Sequence, residues 1–146
     1  MASTGDRHDP FFAFNFVLTF TNWAEAGFSE CSGLELTTDV FEYAEGGQNQ
    51  WMHKFPGRIK QVNLTLKRGI ADRQVWDWYW EIVEGKVTRR TGTLTVRDQS
   101  GTQDVMQYEF QSAFPARWVG PQLNATQNAV AVETLELAYQ GIVRKK

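Results

Sequence analysis

The sequence predicts a mainly β fold: an antiparallel barrel or sandwich with one α-helix at about residues 72–84 and a long extended hairpin over 34–66. Three observations lead there. Several segments alternate apolar and polar residues and are rich in β-branched and aromatic types, the period-two pattern of half-buried strands. Only one stretch changes to helical spacing. Two alternating runs, Leu34–Tyr43 and Ile59–Leu66, flank a segment with Gly and Pro that is too long for a two-residue turn.

Taken in order, residues 1–10 form a polar run, read as a flexible tail. Phe12, Phe14, Phe16, Leu18 and Phe20 then share one face of a core strand. Residues 21–27 read as a turn and 28–34 as a short edge piece. In the return arm of the hairpin, Val62, Leu64 and Leu66 face one way and Gln61, Asn63, Thr65 and Lys67 the other. The tip, 45–58, holds Trp51, Met52 and Phe55 where their own chain can bury little of them. Exposed apolar residues on such an arm mark a partner surface, which points to assembly rather than chemistry.

Asp72 is placed to cap a helix over 73–84, with Gly85 as its left-handed stop. Val75, Trp76, Tyr79, Trp80 and Val83 make a broad stripe, read as the buried face, while Asp77, Glu81 and Glu84 make a narrow polar one. Trp78 and Ile82 fall outside the main stripe, so the helix is apolar around most of its girth. Plugging the side of the β domain is preferred for it over a dedicated partner surface. Strands follow at 91–97, 105–111, 113–119 and 131–139, with a polar loop at 120–128. Pro115 restricts the third of these to an edge or a bulge. The chain reads as one domain over 1–146.

Composition narrows the function. Hydrophobic residues make up 42% and aromatic residues 14% of the chain, enough to favour an ordered core over disorder. A net charge of −2 gives no electrostatic case for a nucleic-acid or membrane surface. The polar start lacks the apolar core of a signal peptide, so synthesis and folding in the cytoplasm are expected. Cys31 is the single cysteine and reads as a small packed residue rather than a nucleophile. His8 and His53 are too few and too scattered for a metal site. Gly46-Gly47 is followed by no Gly-Lys-Ser/Thr, so it is no phosphate loop. The residues themselves imply a β domain that self-associates, with no cofactor and no catalysis.

A longer series of motifs goes further. Asp9-Pro10-Phe11, residues 27–34, Glu45-Gly46-Gly47, Phe55-Pro56-Gly57-Arg58 and Leu66-Lys67-Arg68-Gly69 run in order along the chain. Trp76-Asp77-Trp78, Gly85-Lys86-Val87, Ala113-Phe114-Pro115, Gly120-Pro121, Leu123-Asn124-Ala125 and residues 133–138 continue the series. Together they resemble the inner tube protein of contractile injection systems and contractile-tail phages. The resemblance implies a barrel-like protomer in hexameric rings that stack into a hollow tube within a phage tail or injection particle. It also implies contacts with a sheath, with baseplate or spike and cap proteins, and with cargo effectors or DNA in the lumen, without membrane insertion.

On this reading Gly46, Gly47, Trp51, Met52, Phe55, Pro56, Gly57 and Arg58 make inter-ring contacts. Gln61, Asn63, Thr65, Gln107, Glu109 and Gln111 become lumen candidates, and Trp78 and Ile82 sheath candidates. A haemolysin-coregulated-type secretion tube is the alternative within the same structural class. A soluble ligand-binding β-barrel is the alternative outside it.

Overall fold

In the computed structural model, which describes residues 15–44, 46–47, 51–70 and 72–146, alternation in the sequence becomes strands wherever a second strand can take up the backbone hydrogen bonds. β1 (Phe16–Phe20) buries Leu18 and Phe20. Phe12 and Phe14, read as part of the same strand, lie outside the described residues, as does the tail. Asn22 adopts the left-handed region, φ 61°, which Asn tolerates, and turns the chain back into β2 (Trp23–Ala26) on β1. The segment read as a plain turn is therefore half of a hairpin. β3 (Glu30–Ser32) is the short edge piece expected there.

β4 (Leu36–Tyr43) and β5 (His53–Gln61) pair only with each other, as a ladder separate from the main sheet. The return arm is thus 53–61 and not 59–66. Phe55, Pro56, Gly57 and Arg58 belong to a strand rather than to the tip. The chain breaks at Val62 and Asn63, and β6 (Leu64–Gly69) enters the main sheet between β3 and a later strand. Leu64 and Leu66 are fully buried there, opposite Leu137 and Leu135. Alternation runs unbroken across 61–66 and so carries no trace of this break. Core burial of the two leucines decides it.

After the helix α1 (Gln74–Val83) come β7 (Arg90–Arg97), β8 (Asp104–Val119), β9 (Val132–Ala138) and β10 (Gly141–Arg144). Two expected strands, 105–111 and 113–119, are one. β8 pairs first with β7 and β10 and then with β9, bending at Ser112, whose φ is 54°. Ser112 is the extra residue of a bulge, and it resets the pleat so that Phe110, Ala113 and Pro115 all face inward. β10, which no alternation announced, covers the free side of β8 through Gly141–Arg144. The eight-stranded antiparallel sheet runs β2-β1-β7-β8-β9-β6-β3 with β10 beside β8. Leu18, Phe20, Leu94 and Phe110 from one half meet Leu64, Leu66, Leu135 and Leu137 from the other in a single core.

The helix is one residue shorter at each end than expected, and Gly85 stops it at φ 88°, a conformation that costs glycine little. Its phase differs from the expected one by roughly a quarter turn. The buried side chains are Val75 and Trp78, while Trp80 is 43% and Val83 54% exposed. Trp78 donates its indole N–H to the Thr88 carbonyl at 2.9 Å and packs edge-on against Phe20 and Trp23. With apolar residues nearly all round, the stripe could not set the phase. An indole that needs both a ring cluster and an acceptor does.

A buried ion pair ties this helix to the sheet. Arg68 on β6 and Glu133 on β9 are each 3% exposed, with Nε to Oε1 at 2.7 Å. Arg68 also reaches Asp72 at 2.6 Å, Asp72 accepts the Gln74 amide at the helix start, and Glu133 accepts the Trp118 indole N–H. The guanidinium loses hydration on burial, yet its bonds to Glu133 and Asp72 more than offset this and raise its pKa. The Asp72 carboxyl is held below its usual range, first by the Gln74 amide and then by Arg68.

Three outcomes follow for protomers kept unassembled. Trp78→Ala should cost about 3–5 kcal/mol in urea denaturation, and Trp80→Ala about 1 kcal/mol or less. Arg68→Met alone should cost about 3–5 kcal/mol, because it strands Glu133 in the interior, and Arg68→Met with Glu133→Leu should cost clearly less. A depressed Asp72 pKa contributes stability that is present above the unfolded value of about 3.9 and lost as pH falls through the folded value. Asp72→Asn should therefore flatten the stability profile below about pH 4, measured by urea midpoints across an acid series.

Candidate functional site

The sequence places its apolar surplus in the hairpin, and the fold leaves it there. Among the described residues, neither β4 nor β5 makes an extensive contact with any other element. Beyond the connecting chain, the Gln61 side-chain amide donates to the Tyr139 carbonyl and the Val62 amide reaches the Glu35 carbonyl at 3.4 Å. Ten large apolar side chains between Leu34 and Val62 are exposed. Apolar exposure gathered in one element in this way differs from the single scattered residues that are normal on a monomer's surface.

The ladder is well formed despite this exposure. Val40 stands opposite Pro56, Phe41 opposite Phe55 and Tyr43 opposite His53. The extra residue of a bulge in β5 lets Gly57 and Arg58 face Asp39. Gly57 is a steric requirement: a Cβ there would lie 2.4 Å from the Phe41 ring. Gly47 sits in the turn at the tip, with Trp51 60% and Met52 47% exposed. Glu45 and residues 48–50 of the tip lie outside the described residues.

Of the lumen candidates, the structure brings Thr65, Gln107, Glu109 and Gln111 together on the sheet face opposite the core. Thr93 and Thr95 of β7 and Thr134 and Glu136 of β9 share it. Thr65 pairs with Glu136, Thr95 with Gln107 and Thr93 with Glu109. Lys145 lies 3.9 Å from Glu109 and Arg117 3.1 Å from Glu136, so both charge signs are present. Gln61 and Asn63 lie outside the main sheet's strands, since one ends β5 and the other lies in the break before β6.

Trp78 is inside the protomer and cannot meet a sheath. Ile82, half-buried, lies on the same side of the helix. The outward aromatic shelf is instead Trp80 stacked on Trp76 at 5.4 Å, with Trp118 edge-on to Trp76 at 4.8 Å. Sequence reasoning singled out none of Leu36, Val40, Phe41, Tyr43 and Ile59, all exposed on the ribbon. Their signal was apolar residues at both parities of one strand, which no single core can bury.

A cleft of about 210 Å³ lies between the helix and the β1–β2 turn and is lined by Trp23, Asp77, Trp78, Glu81 and Arg90. Arg90 lies over the Trp78 ring and donates to the Thr21 carbonyl. Glu81 is half-buried there rather than solvated with Asp77 and Glu84. The cleft's lining holds carboxylates and a guanidinium but no thiol, hydroxyl, imidazole or lysine amine. Burial pushes the Cys31 thiol up to about 11, so it stays protonated. Among the described residues no group of three or more His, Cys, Asp or Glu could hold a metal ion, and no helix is long and apolar enough to cross a membrane.

The profile of the T4-like virus tail tube protein gp19 family matches residues 12–143. No curated protein matches the chain. Among solved structures, the sheath–tube complex of the extracellular contractile injection system PVC contains a chain 26% identical. Its TM-score is 0.84, over 93% of this chain and 91% of that one. The tube terminating cap of the anti-feeding prophage is 25% identical, with TM-score 0.86 over 99% of both chains. Hcp1 from Flavobacterium johnsoniae shares the fold at 11% identity and TM-score 0.58, over 90% and 95%.

Proposed function

This chain belongs to the T4-like tail tube family, and from that premise we propose that copies of it close into hexameric rings that stack into the inner tube of a contractile particle. It is a structural tube protein and not an enzyme. The single observation that carries the finer reading is the hairpin, which is folded, packs extensively on no other described element and exposes apolar side chains on both strands. Trp51, Met52 and Phe55, each about half exposed, would be covered by the adjacent ring, with Gly46, Gly47, Pro56, Gly57 and Arg58 shaping the contact. The Thr-, Gln- and Glu-bearing sheet face around Thr65, Gln107, Glu109 and Gln111 suits a hydrated lumen through which cargo passes. The Trp76–Trp80–Trp118 shelf, extended by exposed Val83, replaces Trp78 as the face offered to a sheath. The relatives from PVC and the anti-feeding prophage, similar over nearly the whole chain, favour such a particle over a secretion tube of the Hcp kind.

The test is Trp51→Ser with Phe55→Ser. Surface changes of this kind shift folding stability by only about 0.5 kcal/mol, so the unassembled protomer should melt close to wild type. Electron microscopy should show short tubes or none. Normal tubes from the double variant would refute the inter-ring role, and an unfolded protomer would place the two residues in the subunit's own core.

A further inference from the structure

β3 pairs with β6 and β4 pairs with β5, and the two ladders share one register. Ser32 stands opposite Thr65 at the end of the first and Leu36 opposite Gln61 at the start of the second, with three residues of each strand between them. The ribbon therefore continues the β3–β6 ladder beyond a bend, and is not an arm hung on two independent loops. Within the bend the Val62 amide reaches the Glu35 carbonyl at 3.4 Å, the partner that a continuing register gives it.

Gly33 lets the two strands cross there. Its φ is 96°, and a Cβ on it would lie 2.4 Å from the Asn63 carbonyl oxygen and 3.2 Å from the Leu64 Cα. A glycine inside a ladder marks a tight bend or a close backbone approach, and Gly33 marks both. Neither neighbouring atom yields cheaply, since both are backbone and Leu64 is fully buried opposite Leu137. On the far side of the bend, the Gln61 side-chain amide donates to the Tyr139 carbonyl just past β9. Both strands of the ribbon are thus fastened to the body at their base. An eight-residue strand reaches roughly 26 Å, so a change of ~20° at the base moves the far end by about 9 Å.

We propose that Gly33 is a positioning residue for assembly. By admitting the Asn63 carbonyl at the bend it sets one fixed angle between ribbon and body, so that each protomer carries its ribbon already aimed. The elbow is a property of the single protomer, and its use in assembly rests on the tube reading.

Gly33→Ala and Gly33→Asn test this in the full chain. Asn tolerates positive φ better than Ala, so Gly33→Asn adds the Cβ with less backbone strain should Gly33→Ala not fold. Spin labels on Lys54→Cys and Lys86→Cys, both exposed sites, in a Cys31→Ser background report the ribbon-to-body distance in unassembled protomers by double electron–electron resonance. The parent chain should give one narrow distance. Either Gly33 variant should shift that distance by several ångströms or broaden it while amide exchange in β7, β8 and β9 stays unchanged, and without labels it should form few tubes or none. A broad distance distribution in the parent, or a variant distribution that matches it, overturns the proposal. A displaced ribbon that still builds normal tubes overturns the positioning role. Parent protein that forms no tubes overturns the tube reading instead, and the distances still decide the elbow.

Discussion

A two-stranded ribbon has two faces and no interior, and the rest of this architecture follows from that. Any apolar side chain on β4 or β5 must find its cover outside the ribbon, and no other described element packs extensively on it. The chain separates the two tasks at Val62 and Asn63. Before them, residues alternate toward solvent on both faces. After them, Leu64 and Leu66 drop into a core that closes without the ribbon. Among the described residues, none of the ribbon's side chains belongs to the buried core cluster.

Freedom for the ribbon requires a rigid body behind it, and the sheet supplies one. The bulge at Ser112 lets a single strand serve two halves of the sheet, so the core stays continuous around the bend. Arg68 and Glu133 link β6 to β9, and through Asp72 and Trp118 they reach the helix start and the outer shelf. A buried pair of this kind is weak as a source of net stability, because desolvation opposes the Coulomb gain. Its geometric effect is clear, since one guanidinium fixes where the helix begins relative to the sheet. Trp78 completes the attachment from the other side through the Phe20 and Trp23 rings.

Much of this was legible in the sequence because period-two alternation and a single helical segment are strong signals. Leu18, Phe20, Leu94, Phe110, Leu135 and Leu137 all sit where alternation puts them, and Gly85 ends the helix as its type predicts. What was not legible depends on tertiary choices. Residues 61–66 alternate without interruption, yet belong to two strands in two sheets. In the helix, three Trp and a Tyr leave the phase undetermined until an indole finds Thr88. Gln61 and Asn63 share parity with Thr65 but not its sheet face, because the break intervenes. Among site residues, the tip aromatics were visible as orphans in a loop. Phe41 and Tyr43 lie in an alternating strand, where apolar residues at both parities are the signal that one core cannot bury them all.

The central claim, that the hairpin is a folded element whose burial is completed only by other copies, is open to one direct measurement. Amide hydrogen exchange followed by mass spectrometry compares unassembled protomers with the assembled product, peptide by peptide. Local opening of an uncovered ribbon costs little, so its amides should exchange fast in the protomer while those of β7, β8 and β9 are protected. In the assembly, protection should rise across both β4 and β5 and stay unchanged in the core strands. Peptides from 36–43 and 53–61 that are equally protected in both states, or that still exchange fast in the assembly, would contradict the account.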